Sequence, residues 1–171
     1  MRERGFTLVE LLVALVVAGI LLTISYPSMR SFFVDNKLAT EASQLHKGFS
    51  TARLYAINYQ KRVTVCPLKD NSCDKTQWSG TITAFVDEGV TGKLDGDDLT
   101  LAIVDPISGN AKRLYSQDRV TFDVDGTLIV TAATVTICEG SDSNLYHGVS
   151  LARSGRSKVL DDNARTSLSC N

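Results

Sequence analysis

Four cysteines, a short cationic turn, a run of carboxylates and one glutamate inside an apolar stretch are the residues whose types and spacing could do chemistry. Cys66, Cys73, Cys138 and Cys170 are even in number, which in an oxidising compartment argues for disulfides. Four cysteines allow three pairings. Cys66 and Cys73 flank a short loop containing proline and aspartate, which favours that pair and leaves Cys138 with Cys170, pinning the C-terminal tail to a strand. Zinc is the rival reading, but no two cysteines have the close spacing of a zinc site and His147 stands apart. Asp87, Glu88, Asp95, Asp97 and Asp98 could offer oxygens to calcium. Gly96 follows Asp95 at once and no glutamate closes the loop, so the EF-hand order is absent and a solvated glycine-rich connection is the plainer expectation. Arg153-Ser154-Gly155-Arg156-Ser157-Lys158 sets three cations around one glycine, and Arg165 follows. With Asp161 and Asp162 against them, about two positive charges remain in surplus. Such a patch could hold phosphates, with an affinity falling steeply as salt rises, and serine hydroxyls and backbone amides could add contacts. The plain alternative is an exposed basic turn between two strands. His46 and His147 are far apart, His46 beside an apolar helical stripe where solvation is expected. Neither a Ser/His/Asp arrangement nor a phosphate or dinucleotide loop is present, so the sequence points to no enzyme, cofactor or metal.

These residues need elements to position them. From Phe6 to Ile24 the chain is apolar except for Glu10, a length suited to a membrane-spanning helix of about 20 residues. Arg2 and Arg4 precede the run, which places the N-terminus in the cytoplasm and the remainder outside. A secretory signal peptide fits less well, because Ser25-Tyr26-Pro27-Ser28 is a poor cleavage site. A carboxylate inside such a run costs about 2.5–3.5 kcal/mol on insertion scales, so Glu10 calls for a partner unless it sits at the interface.

Beyond Pro27, which should kink or locally break a helix, the pattern turns amphipathic. Leu38, Ala42, Leu45, Phe49, Ala52, Ala56 and Tyr59 recur at alternating steps of four and three, while Glu41, Gln44, Lys47 and Arg53 lie off that stripe. One helix from Phe6 to about Gln60 would run roughly 80 Å. From Lys61 the period becomes two. Strands are expected over 62–66, 81–86, 99–104, 120–124, 128–130 and 134–138, with two more over 147–151 and 157–160. Asp125-Gly126 marks a hairpin. The expectation is an α+β fold, a long N-terminal helix packed on an antiparallel β-sheet head. At 171 residues, 43% hydrophobic and net charge -1, the chain suits one domain with no global attraction to nucleic acid.

Arg4-Gly5-Phe6-Thr7-Leu8-Val9-Glu10, in register with a basic leader and an apolar run, resembles the type III signal of type IV pilins and pseudopilins. The resemblance implies the type IV pilin fold and cleavage by prepilin peptidase between Gly5 and Phe6, with methylation of the new N-terminus. It implies that Glu10 pairs with the terminal amine of a neighbouring subunit during assembly. The chain then divides into a leader over 1–5, a transmembrane or filament-core helix over 6–27 and a periplasmic head over 28–171. The later layout is similar to the FimT/FimU/GspH branch of minor pilins and pseudopilins. DNA-uptake pilins of the FimT type carry Gly-Arg-x-Arg near the C-terminus, and here Gly155-Arg156-Ser157-Lys158 departs at its last position. Lysine keeps the charge but loses the planar fork. Arg153, Arg156, Lys158 and Arg165 are the implied DNA contacts. The implied function is a minor pilin at or near the tip of a type IV pilus, priming assembly and binding double-stranded DNA during natural transformation. A type II secretion minor pseudopilin of the GspH kind is the alternative. Implied partners are other major and minor pilins, the peptidase and the inner membrane, which holds the subunit by a single pass before it enters the filament.

Overall fold

The computed structural model describes residues 7–96, 98–129, 131–140, 145–160 and 170, with the side chains of 24–28 outside the description. The cleavage pair Gly5 and Phe6, Asp97, Val130 and Arg165 lie outside these residues.

Helix α1 runs from Leu8 to Tyr59 without a break at Pro27. Its start is capped. The Thr7 carbonyl accepts the Leu11 N–H at 3.2 Å and the Thr7 hydroxyl accepts the Glu10 N–H at 3.3 Å. Thr7-Leu8-Val9-Glu10 therefore has the sequence of a capping box, and the Glu10 carboxylate stands in the first turn where the helix dipole favours an anion.

The chain separates into two compact units at Asn36/Lys37. In the first, the large apolar side chains described between Leu8 and Phe33 are uncovered, from 50% exposure at Val17 to 75% at Leu8. Among the described residues no helix is long and apolar enough to cross a membrane, and the described side chains of the apolar run stop at Thr23.

In the second unit the helical stripe is the core. Leu38, Ala42, Leu45, Phe49, Ala52 and Ala56 are wholly buried. Tyr59, expected on that stripe, is instead exposed at the last turn and stacks on Tyr55 with ring centroids 4.2 Å apart.

Two antiparallel sheets complete this unit. The first contains β1 (Val63–Lys69), β2 (Ser72–Cys73), β3 (Ile82–Val86), β4 (Thr100–Val104) and β6 (Val120–Phe122), in the order β2-β1-β3-β4 with β6 also on β1. The second contains β5 (Ala111–Leu114), β7 (Ala133–Glu139), β8 (Tyr146–Leu151) and β9 (Ser157–Val159), in the order β5-β7-β8-β9. Most strands are rich in β-branched residues, which suit a pleated, half-buried surface. Strand β5 was not expected, because Lys112 and Arg113 interrupt any apolar alternation. Its Arg113 is nevertheless buried, donating to the Glu41 carboxylate at 2.6 Å and to the carbonyls of Asp105 at 2.9 Å and Gly80 at 3.2 Å. Glu41, placed on the polar face by the periodicity, thus pairs with a buried guanidinium whose stranding would cost about 3–5 kcal/mol. The expected strand over 128–130 reduces, among the described residues, to a single bridge between Leu128 and Phe122.

Candidate functional site: a basic turn braced by the helix

Disulfides join Cys66 to Cys73 and Cys138 to Cys170. The first sits across the β1–β2 hairpin, whose central Asp70 and Asn71 have φ of 50° and 63°. Two left-handed residues make the tight turn that matches strand twist, and Asp and Asn tolerate that conformation best among residues with side chains. The second ties the C-terminal tail to β7.

The acidic segment is more ordered than a solvated loop. Asp87 is buried and accepts from the Thr64 hydroxyl and, at 2.9 Å, from the Gly92 N–H. Asp95 accepts the Val90 N–H, and Asp98 accepts those of Glu88 and Asp95. These carboxylates hold the loop's own backbone. Among the described residues no set of three His, Cys, Asp or Glu side chains is placed to hold a metal ion.

The cationic turn joins β8 to β9. The Gly155 N–H bonds the Ala152 carbonyl at 2.8 Å and the Ala152 N–H bonds that of Arg156 at 2.9 Å. Arg153, Arg156 and Lys158 are exposed. Neither Arg153 nor Arg156 has an ion-pair or side-chain hydrogen-bond partner among the described residues, and both side chains are open to solvent. Ser157, by contrast, turns inward. Its hydroxyl lies 2.9 Å from His46 Nδ1 and 3.4 Å from the Ser50 hydroxyl, both on α1. That arrangement corrects two expectations. His46 is half-buried and bonded rather than solvated, and the Ser157 hydroxyl is committed to the helix instead of a ligand.

A second turn backs the first. Asp125-Gly126 forms the expected hairpin, with the Asp123 N–H on the Thr127 carbonyl and Gly126 N–H on the Asp123 carbonyl, each at 2.8 Å. Two bonds from Thr127 to the Asp125 carboxylate hold that acid below its ordinary pKa, so it stays ionised. The Leu128 N–H reaches the Arg153 carbonyl at 2.9 Å and couples the two turns. Gly155 has φ of 75°, and a Cβ there would fall 1.8 Å from the Gly126 carbonyl oxygen. Only glycine permits both the left-handed conformation and this approach. Arg53 donates its Nε–H to the same carbonyl at 3.1 Å. Sequence periodicity put Arg53 off the core stripe, among residues expected to face water. It is half-buried here because His46, Ser50, Arg53 and Ile57, spaced four, three and four, form a second line of contact beside the core stripe. That spacing was the available signal.

The GspH family, described as type II transport protein GspH, matches residues 41–155, and the prokaryotic N-terminal methylation motif matches residues 1–26. No curated protein sequence matches. Among solved structures, the type IV minor pilin FimU of Pseudomonas aeruginosa is similar at 22% identity with a TM-score of 0.60, over 75% of this chain and 91% of that one. The minor pseudopilin EpsH from the type 2 secretion system of Vibrio cholerae is similar at 14% identity with a TM-score of 0.52, over 72% of this chain and 96% of that one. At these identities the structures speak for the fold, a pilin fold with an N-terminal helix and antiparallel sheets, and the family match covers most of the chain. The methylation motif, the pilin fold and the match over residues 41–155 together make this chain a member of the GspH family of minor pilins and pseudopilins.

Proposed function

We propose that this chain is a minor pilin of a type IV pilus, incorporated at or near the filament tip, where it primes assembly and binds double-stranded DNA through the β8–β9 turn. In this reading the apolar helix holds the precursor in the inner membrane by a single pass, with the head in the periplasm. Prepilin peptidase cleaves after Gly5, and the helix then packs among other pilins with Glu10 paired to a neighbour's terminal amine. The observation that carries DNA binding is the exposed pair Arg153 and Arg156, without an acidic partner among the described residues, on a turn packed from behind against Gly126. Lys158 adds an exposed cation on β9, and Arg165 is a further candidate. Phosphate contacts of this kind give affinity without sequence readout.

The test is duplex binding by the full chain in non-ionic detergent, beside a variant carrying Arg153→Gln, Arg156→Gln and Lys158→Gln. The native chain should lose roughly 30- to 50-fold in affinity between 50 and 200 mM salt, as expected for about three phosphate contacts. The variant should bind far more weakly at low salt. Equal binding by both removes the turn from the reading, and no binding by either leaves a priming subunit alone.

The family description and the EpsH likeness favour a second reading, a minor pseudopilin of type II secretion. Deleting the gene separates the two. Loss of surface pili with secretion intact supports the pilus, and the reverse supports the secretion machine.

A further inference from the structure

Arg53 lies at the junction of three segments that are distant in sequence. Its Nε–H is spent on the Gly126 carbonyl, and that nitrogen would sit 2.9 Å from a Cβ on Gly155, so the guanidinium lies directly against the basic turn. Its Cγ packs 3.3 Å from the Cβ position of Gly126. Among the described residues its two terminal nitrogens have neither a hydrogen bond nor an ion pair. The nearest acid in sequence to this junction, Asp125, already holds both the amide and the hydroxyl of Thr127 with one carboxylate oxygen.

We infer that Arg53 is a phosphodiester-binding residue, supplied by the helix to the same surface as Arg153 and Arg156. The inference rests on the DNA-binding reading of the β8–β9 turn and adds to it a residue from another element. The chemistry follows from the fork of arginine. A guanidinium can grip phosphate in two places, but an exposed one must give up rotamer freedom to do so. Here one edge is pinned by a backbone carbonyl, so the terminal nitrogens are held on a fixed base. The surface then offers cations from α1, from the turn and from β9, with a rigid Gly126–Gly155 contact behind them.

The experiment measures duplex affinity against salt for the full chain in detergent, as native protein, Arg53→Gln and Arg53→Lys, with thermal unfolding followed on each. The Arg53→Gln variant should bind at least roughly fivefold more weakly at low salt. Its plot of log affinity against log salt should be shallower by about 0.9, one phosphate contact fewer. The Arg53→Lys variant should keep the native slope with intermediate affinity, because the charge remains and the pinned fork is lost. Native-like affinity and slope in Arg53→Gln overturn the inference while leaving the turn's own reading intact. So does weaker binding in both variants at an unchanged slope with a lowered melting temperature, which marks a purely structural brace. Absence of duplex binding by the native chain overturns both. Vesicles containing phosphatidylglycerol form the last arm, and an effect of Arg53→Gln on vesicles but not on duplex also overturns the assignment.

Discussion

At the scale of single residues, the head contains polar groups whose cost is legible only in three dimensions. Tyr115 is 8% exposed, packs edge-on against Trp78 at 4.9 Å, and its hydroxyl has no hydrogen-bond partner among the described residues. Burial pushes its pKa up to about 12, because the phenolate would lose hydration. The unfolded chain loses this proton near pH 10 and the folded one near 12, so between those values the unfolded state is favoured and stability falls as pH rises. Replacing Tyr115 by Phe should remove that part of the alkaline loss. Near neutral pH it should be neutral or stabilising by up to about 1 kcal/mol, since an unpaired hydroxyl no longer needs desolvating. Urea unfolding at pH 8 and pH 11.5 checks both statements. A Phe variant clearly less stable at pH 8 would mean the hydroxyl is paired after all. Arg113 makes a related point. Nothing in its tetrapeptide Ala-Lys-Arg-Leu announces a buried ion pair, because its partner Glu41 lies in the helix, far away in sequence.

At the scale of elements, the helix determines where the sheets and turns sit. One stripe of wholly buried side chains supplies the core, and the line His46-Ser50-Arg53-Ile57 beside it fastens β9 and both turns. The glycine turn is the element most exposed to a single change. Gly155→Ala places a Cβ against the Gly126 carbonyl at a positive φ, so the two turns must part. We expect a loss of about 1–3 kcal/mol from the backbone conformation, with the steric term added to it. The Ser154→Ala change one residue earlier, at an exposed position, should be within about 0.5 kcal/mol of native. Equal melting temperatures for native and Gly155→Ala would show that the turns are not in contact. The helical stripe was readable because it follows a local period, and β1 and β3 were placed although their burial is continuous rather than alternating. Strand β5 and the two-residue β2 were not, since one is held by a buried salt bridge and the other by a tight hairpin and a disulfide.

At the scale of the whole molecule, the exposed apolar half of α1 requires a second environment. Leu8, Leu15, Leu22 and Phe32 are each at least 62% exposed, a surface that an isolated chain cannot cover in water. Membership of a pilin family supplies other subunits as its partners. The chemistry of maturation belongs to this scale because it decides which environment the helix meets. Changing Gly5 to a bulky residue should leave an uncut precursor that stays in the membrane fraction, with the leader visible in the intact mass. Normal processing of that variant would remove Gly5-Phe6 as the cleavage site. Within the chain the Glu10 N–H is capped by the Thr7 hydroxyl, which leaves the proposed assembly contact of its carboxylate to be tested separately.

The sequence alone determined the long N-terminal helix with its apolar first part, most of the strands, the core stripe and the even set of cysteines. Each of these rests on local period, composition or spacing, which the linear chain carries in full. Only the tertiary structure decided which polar residues are committed and which are available. His46, Glu41, Arg53 and Asp87 all read as solvated polar positions, yet each meets a group brought from elsewhere in the fold. Contacts of that kind join residues more than twenty positions apart, and the spacing along the helix does not name their partners. The cationic turn was legible as charge. That its serine faces the helix, and that its glycine rests on a second turn beside Arg53, depends on how the sheets close over α1.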